Sequence, residues 1–238
     1  MKDTRKTMDL WWAAAYLVAA MLLLLSWMGP AWLRPLWDRW DDAVFLVMNG
    51  SLAEPGAWQT FWVLSNSRYF DLIPAALLLG VYATWLFAAR TQAFRARLHL
   101  GLMMAVFNVV WLQIMMKGTL ETLRDSPSLV VPEAIRIGSL VDWIPRVKDH
   151  SNHSFPGDHA AIGLLVALII LHVAGWKRGV AALAVAAFFS LPRLFGGGHW
   201  LTDVVIGGGF GALTGIAVFL LLRTAWPRVW APDRSASP

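Results

Sequence analysis

Three short stretches of this chain collect side chains suited to anion binding and proton transfer. The first is KGTLETLR, in which Lys117 and Arg124 stand seven residues apart. If the helix runs on past Lys117, that spacing returns to nearly the same face, and two cations on one face suit an anion of more than one charge. The same pair also suits a helix C-terminus near a membrane interface, where cations complement the macrodipole and snorkel. The second stretch is HSFPGDH, from His153 to His159. Ser154 is placed to N-cap a helix, Pro156 suits its first turn, and Gly157 lets a ligand approach the backbone. The free N–H groups and positive dipole end of that helix would make an anion site, with His159 placed to protonate a leaving oxygen. A plain capped helix start with an interfacial histidine reads the same way. The third stretch, PRLFGGGHWLTD, holds Arg193, His199 and Asp203. On a helix beginning near His199, the i, i+4 spacing puts the imidazole and Asp203 on one face. A carboxylate on one ring nitrogen fixes the tautomer and leaves the other nitrogen nucleophilic. The three glycines before it open space and backbone donors for a bound group.

Together the stretches supply three cations, a helix N-terminus, a glycine loop and two histidines placed for chemistry, His159 and His199. That inventory fits phosphoryl transfer through a phosphohistidine, in which positioning and charge stabilisation carry most of the catalysis. His150, His153, His159 and His199, with Asp149 and Asp158, make a metal site the rival mechanism. Their spacings match no compact zinc pattern and the cations would repel a metal, so no metal is expected. A non-enzymatic lipid-phosphate binder or a transporter would be marked by charged or broken helices at mid-membrane, and none is read here.

The elements that hold these residues follow from composition. Hydrophobic residues make up 58% of the 238 and charged residues 15%, against roughly a quarter charged in soluble domains, which places the chain in a membrane. Six apolar runs, 10–28, 72–89, 98–116, 160–176, 179–195 and 204–222, approach the roughly 20 residues of a spanning helix. The first run is too long for a signal peptide and no small-x-small cleavage site follows, so a retained anchor is expected. Lysines and arginines such as Lys2, Arg95, Lys177 and Arg228 fall on one side of this layout, which the positive-inside rule makes cytoplasmic. Both termini then lie in the cytoplasm, with 224–238 as a tail, and the three motif stretches face the other side. The net charge of +5 is thus a topology signal, and no nucleic-acid partner is expected. Trp37, Trp40, Val44, Phe45 and Met48 follow helical spacing, as an amphipathic helix on the outer interface or equally as a helix capping the bundle. Gly207, Gly211 and Gly215 form a small-residue stripe against which another helix can pack closely. No cysteine is present, which excludes disulfide and thiolate chemistry. The expectation is an all-α, polytopic, six-helix membrane protein with one domain over 1–238 and its core at about 60–222.

Lys-x6-Arg, Pro-x-x-His and Arg-x5-His-x3-Asp, in that order, resemble the three-part signature of the type 2 phosphatidic acid phosphatase superfamily. The resemblance implies that His199 is the nucleophile, Asp203 orients it and His159 protonates the leaving group. It implies that Lys117, Arg124 and Arg193 hold phosphate, with Ser154 and Gly157 contributing, and that no metal or other cofactor is needed. The chain departs from that pattern at Asp125, at Gly157-Asp158 where Ser-Gly is usual, and at Pro192. An extra carboxylate at Asp158 should repel substrate unless it is paired. SFPGDH, LSNSRYFD and VKDHSNH resemble the bacterial lipid A 1-diphosphate synthase branch more narrowly. That implies an inner-membrane enzyme, working on the periplasmic face, that moves the terminal phosphate of a polyprenyl (undecaprenyl) diphosphate to lipid A. Arg68 is then a candidate acceptor contact. The alternative is a plain undecaprenyl diphosphate or phospholipid phosphatase with water as acceptor.

Overall fold

The structure, a computed structural model, describes residues 2–89, 91–140 and 147–227. The described residues are helical, and no strand occurs among them. The principal helices are α1 (Lys2–Met28), α2 (Arg34–Gly50), α3 (Ala57–Ser65), α4 (Leu72–Leu86) and α5 (Thr91–Trp111). They are followed by the short α6 (Pro127–Val130), then α7 (Asp158–Ala174), α8 (Trp176–Phe195) and α9 (Gly209–Ala225). A π-helical segment, Leu112–Leu120, prolongs α5, and another, Asp203–Gly208, leads into α9.

Each of the six apolar runs is helical. Four helical stretches are long and apolar enough to cross a membrane: Thr4–Met28, Ala93–Leu120, Trp176–Phe195 and Asp203–Ala225. Leu72–Leu86 and Asp158–Ala174 are apolar but shorter, at 15 and 17 residues, so the expected six spans become four by length. Large apolar side chains such as Val18, Leu22, Leu79, Leu102 and Val109 lie exposed along the helices, as a lipid-facing surface requires.

The core is built by α7, α8 and α9 with α1, around the fully buried Ile169, Ile170, Ile216 and Phe219. Because lipid tails are as apolar as leucine, close packing rather than water exclusion must hold these helices together. The glycine stripe supplies that closeness. A Cβ at Gly207 would lie 2.6 Å from the Pro156 Cβ, and one at Gly215 would lie 2.8 Å from Leu165. The Gly211 carbonyl accepts the Trp111 indole N–H at 2.8 Å. Between α7 and α8 the chain turns at Gly175, whose φ of 92° favours glycine.

The two ends of the bundle differ in chemistry. At one end Arg97 stacks on Trp85, Arg178 bonds to Thr84, and Arg223 makes a buried two-pronged pair with Asp9 at 2.6 and 2.9 Å. At the other end lie the starts of α4 and α7, the close of α8 and the turn into α9. That end is covered by α2, which turns Asp41, Phe45 and Asn49 inward at i, i+4 and i+8. Asn49 donates from Nδ2 to the carbonyls of Phe195 (2.9 Å) and Ile135 (3.1 Å). Trp40 points outward instead, 60% exposed. The buried stripe of α2 is therefore partly polar, with two of its three buried side chains making hydrogen bonds rather than apolar contacts.

Candidate active site

A cavity of about 300 Å³ opens at the end of the bundle covered by α2. His159, Arg193 and His199 line it together with Asp158, Lys148 and Arg68. Residues more than a hundred positions apart meet here because α7 begins and α8 ends at this level. The glycine turn 196–198 then folds back over the end of α8. Its N–H groups serve the turn itself: Gly196 donates to Pro192, Gly197 to Leu194 and Gly198 to Arg193. They supply closure rather than free donors, and Gly197 needs its φ of 71° to make it.

His199 precedes the last helix, whose helical conformation starts at Leu201. Its Nδ1–H donates to the Ser154 carbonyl at 2.6 Å, while the Asp203 carboxylate stands 3.7 Å away. The backbone carbonyl, not the carboxylate, thus fixes the tautomer and leaves the lone pair on Nε2. Asp203 is fully buried and acts on the turn: Oδ2 accepts the Trp200 N–H at 2.8 Å and Oδ1 accepts Arg124 at 2.5 Å.

Arg124 does not share a helical face with Lys117. The helix stops at Leu120, Glu121 is extended, and Arg124 pairs with His153 in an isolated parallel bridge. Its guanidinium reaches away from the cavity lining to Asp203, to Asp41 Oδ2 at 2.8 Å and to Thr202 Oγ1 at 2.8 Å. Asp41 in turn accepts the Thr202 N–H at 2.8 Å and its hydroxyl at 2.6 Å. The Lys117 side chain lies outside what the structure describes.

The start of α7 also differs from the sequence reading. Gly157, not Ser154, is the N-cap, and Ser154 is buried with a hydroxyl that has no hydrogen-bond partner among the described residues. The Gly157 N–H is taken by the Asp203 carbonyl at 2.8 Å, and a Cβ there would approach that oxygen to 2.9 Å. Glycine at this position lets α7 dock on the turn behind His199, which is a packing need.

His159 sits just outside the apolar run that begins at Ala160. Its Nδ1 meets Asp158 Oδ1 at 2.6 Å, and its Nε2 meets Asp71 Oδ2 at 3.3 Å. Asp158 also accepts the His159 N–H at 2.7 Å. The extra carboxylate is therefore paired, and it occupies part of the helix N-terminus in which a phosphate was expected. Burial pulls the His159 pKa down, but the bonds to Asp158 and Asp71 outweigh it and raise the pKa above the ordinary 6.5. The same bonds hold both carboxyls below their usual range, against a burial effect that would raise them. An acid at His159 works only while protonated, so turnover should fall as pH rises through a value above that of an ordinary imidazole. Asp158→Asn should bring that alkaline limb to lower pH in a pH–kcat profile. A limb that stays in place would remove His159 from the acid role.

Asp71 was not singled out from the sequence. It links Arg193, whose Nη2 donates to Oδ1 at 2.6 Å, to His159 and to Lys148 at 4.0 Å. Asp41 was not singled out either. Neither position sits in a local pattern that announces a partner more than a hundred residues away. Among the described residues no three His, Asp or Glu side chains converge as a metal-binding group; His150 pairs with Asp149, and His153 lies 3.6 Å from Glu121.

The sequence pattern of the PAP2 superfamily matches residues 96–227, more than half of the chain. The chain belongs to the PAP2 superfamily. This PAP2 chain is also 30% identical over 205 residues to the lipid A 1-diphosphate synthase of Escherichia coli (strain K12). The match covers 86% of this chain and 84% of that relative. No solved structure matches the chain.

Proposed function

We propose that the protein is an inner-membrane lipid phosphotransferase that works through a phosphohistidine on the periplasmic face. PAP2 membership and the likeness to a lipid A 1-diphosphate synthase support a lipid phosphatase or phosphotransferase. The observation that carries the reading is the His199 tautomer: with Nδ1–H spent on Ser154, Nε2 keeps its lone pair beside Arg193 and His159.

In the first half-reaction, His199 Nε2 attacks the terminal phosphorus of a polyprenyl diphosphate. The N–P bond forms, the bridging P–O bond breaks, and His159 gives its Nε2 proton to the departing lipid phosphate. Arg193 neutralises the charge on the transferred group, with Lys117 as a further phosphate contact. Arg124, expected as a phosphate contact, is given a supporting role through Asp203. In the second half-reaction an acceptor oxygen attacks phosphorus, the electron pair returns to Nε2, and His159 recovers a proton from the acceptor. Lipid A is the favoured acceptor and water the alternative.

The test uses purified full-length protein with a polyprenyl diphosphate labelled on its terminal phosphate, with and without lipid A. The label should pass to lipid A, with free phosphate the minor product. Quantitative release of free phosphate in the presence of lipid A would make the protein a plain phosphatase.

A further inference from the structure

Beyond the histidine pair, the cavity carries two cations that the chemistry above does not use. Arg68 and Lys148 line the same space as Arg193. All three are anchored on one buried residue, Asn66. The Asn66 carbonyl accepts the Lys148 N–H at 3.0 Å, and its Nδ2 donates to the Pro192 carbonyl at 2.7 Å, directly before Arg193. Arg68 follows two residues on, and Ser67 forms an antiparallel bridge with Val147. Three separate segments, 66–68, 147–148 and 192–193, are thus stitched together so that each delivers one cation.

The carboxylate that meets this trio is Asp71, and it is committed to Arg193 and His159, leaving Lys148 at 4.0 Å. Arg68 is exposed and makes no hydrogen bond or ion pair among the described residues. Burial pushes the Lys148 pKa down, the Arg193 and Arg68 charges push the same way, and Asp71 and Asp158 offset this only in part. Cations crowded in this way are stabilised by an anion from outside. Glu121, a carboxylate that also lines the cavity, lies 3.6 Å from His153.

We propose that Arg68 and Lys148 form a second phosphate subsite, which holds the phosphate that is not transferred. This rests on the phosphohistidine reading above. In a two-step transfer at one histidine, the leaving lipid phosphate and the attacking phosphate must both stand beside the same phosphorus. One cationic subsite therefore serves the proximal phosphate of the diphosphate donor first, and the phosphate of a phosphomonoester acceptor after the donor lipid departs. Water needs no such contact, so the subsite favours a phosphate acceptor over hydrolysis.

The experiment compares the full-length protein with Arg68→Gln and Lys148→Gln in phospholipid nanodiscs, using farnesyl diphosphate and phosphatidic acid as probes. Each substitution should lower kcat/KM for the diphosphate about tenfold more than for phosphatidic acid hydrolysis, whose one phosphate is the transferred group. Discharge of labelled enzyme to added phosphatidic acid should slow by a similar factor, while discharge to water slows less. Equal losses on both substrates, or a defect in labelling with normal discharge to the phosphate acceptor, would overturn the shared subsite. Failure of the unsubstituted protein to take label on histidine would instead overturn the phosphohistidine reading beneath it. Because Arg68 is exposed and unpaired among the described residues, its variant keeps the test independent of folding.

Discussion

His199→Ala should lower kcat by at least about a thousandfold and abolish the acid-labile phosphoenzyme, because the proposed covalent step runs through its Nε2. The neighbouring residues sharpen that expectation. Arg193 and Lys148 would still bind the phosphate, so KM should change far less than kcat. His159→Ala should behave differently. General-acid catalysis contributes roughly 10²–10⁴-fold, and that contribution is needed only when the leaving oxygen must be protonated. With p-nitrophenyl phosphate, whose leaving group departs without a proton, His159→Ala should recover most of its loss and His199→Ala none. Turnover by His199→Ala within tenfold of the unsubstituted protein would sink the nucleophile assignment, and equal defects of both variants on both substrates would sink the division of labour.

The motif residues that face the cavity, His159, Arg193 and His199, were legible in the sequence because each belongs to a short pattern whose chemistry is local. His159 opens an apolar helix, His199 follows a glycine turn, and Arg193 ends a helix, so secondary structure alone brings them to one end of a bundle. Less legible was which atoms they would use. The spacing from His199 to Asp203 suggested a carboxylate on the ring, yet the helix starts at Leu201 and a carbonyl from the stretch before α7 arrives first. Arg124 was read on a helical face because an apolar pattern carries no stop signal at Leu120, and the extended turn at Glu121 redirects it toward α2. The supporting carboxylates were invisible for a related reason. Asp41 and Asp71 look like solvated charges on an amphipathic helix and before an apolar run. Their partners follow from which helix ends meet, and periodicity says nothing about that. Helix existence was set by composition, whereas the number of spans depended on element lengths that the structure shortens to 15 and 17 residues in two cases.

Asp41 carries the second large effect. Its carboxylate is 2% exposed and accepts the Thr202 N–H, the Thr202 hydroxyl and an Arg124 N–H, while Arg124 joins it to Asp203. Removing one partner of a buried ion pair costs about 3–5 kcal/mol, and here Arg124 keeps Asp203 and some solvent contact, so about 2–3 kcal/mol is expected for Asp41→Ala. The functional loss should exceed what unfolding explains, because Thr202 lies three residues after His199 and one before Asp203. A turn released at Thr202 lets the His199 ring leave the Ser154 carbonyl, and with it the tautomer that frees Nε2. Asp41→Ala should therefore lower kcat about 10–100-fold in the protein fraction that remains folded, with KM changed less than threefold. Asp41→Asn should not restore it, since an amide would turn an N–H toward either Arg124 or Thr202, both of which already donate. Combined with Thr202→Ala, the double variant should lose little more than Asp41→Ala alone, because both substitutions break the same network. Strictly additive losses, or a defect confined to KM, would mean that Asp41 supports the fold without setting the geometry of His199.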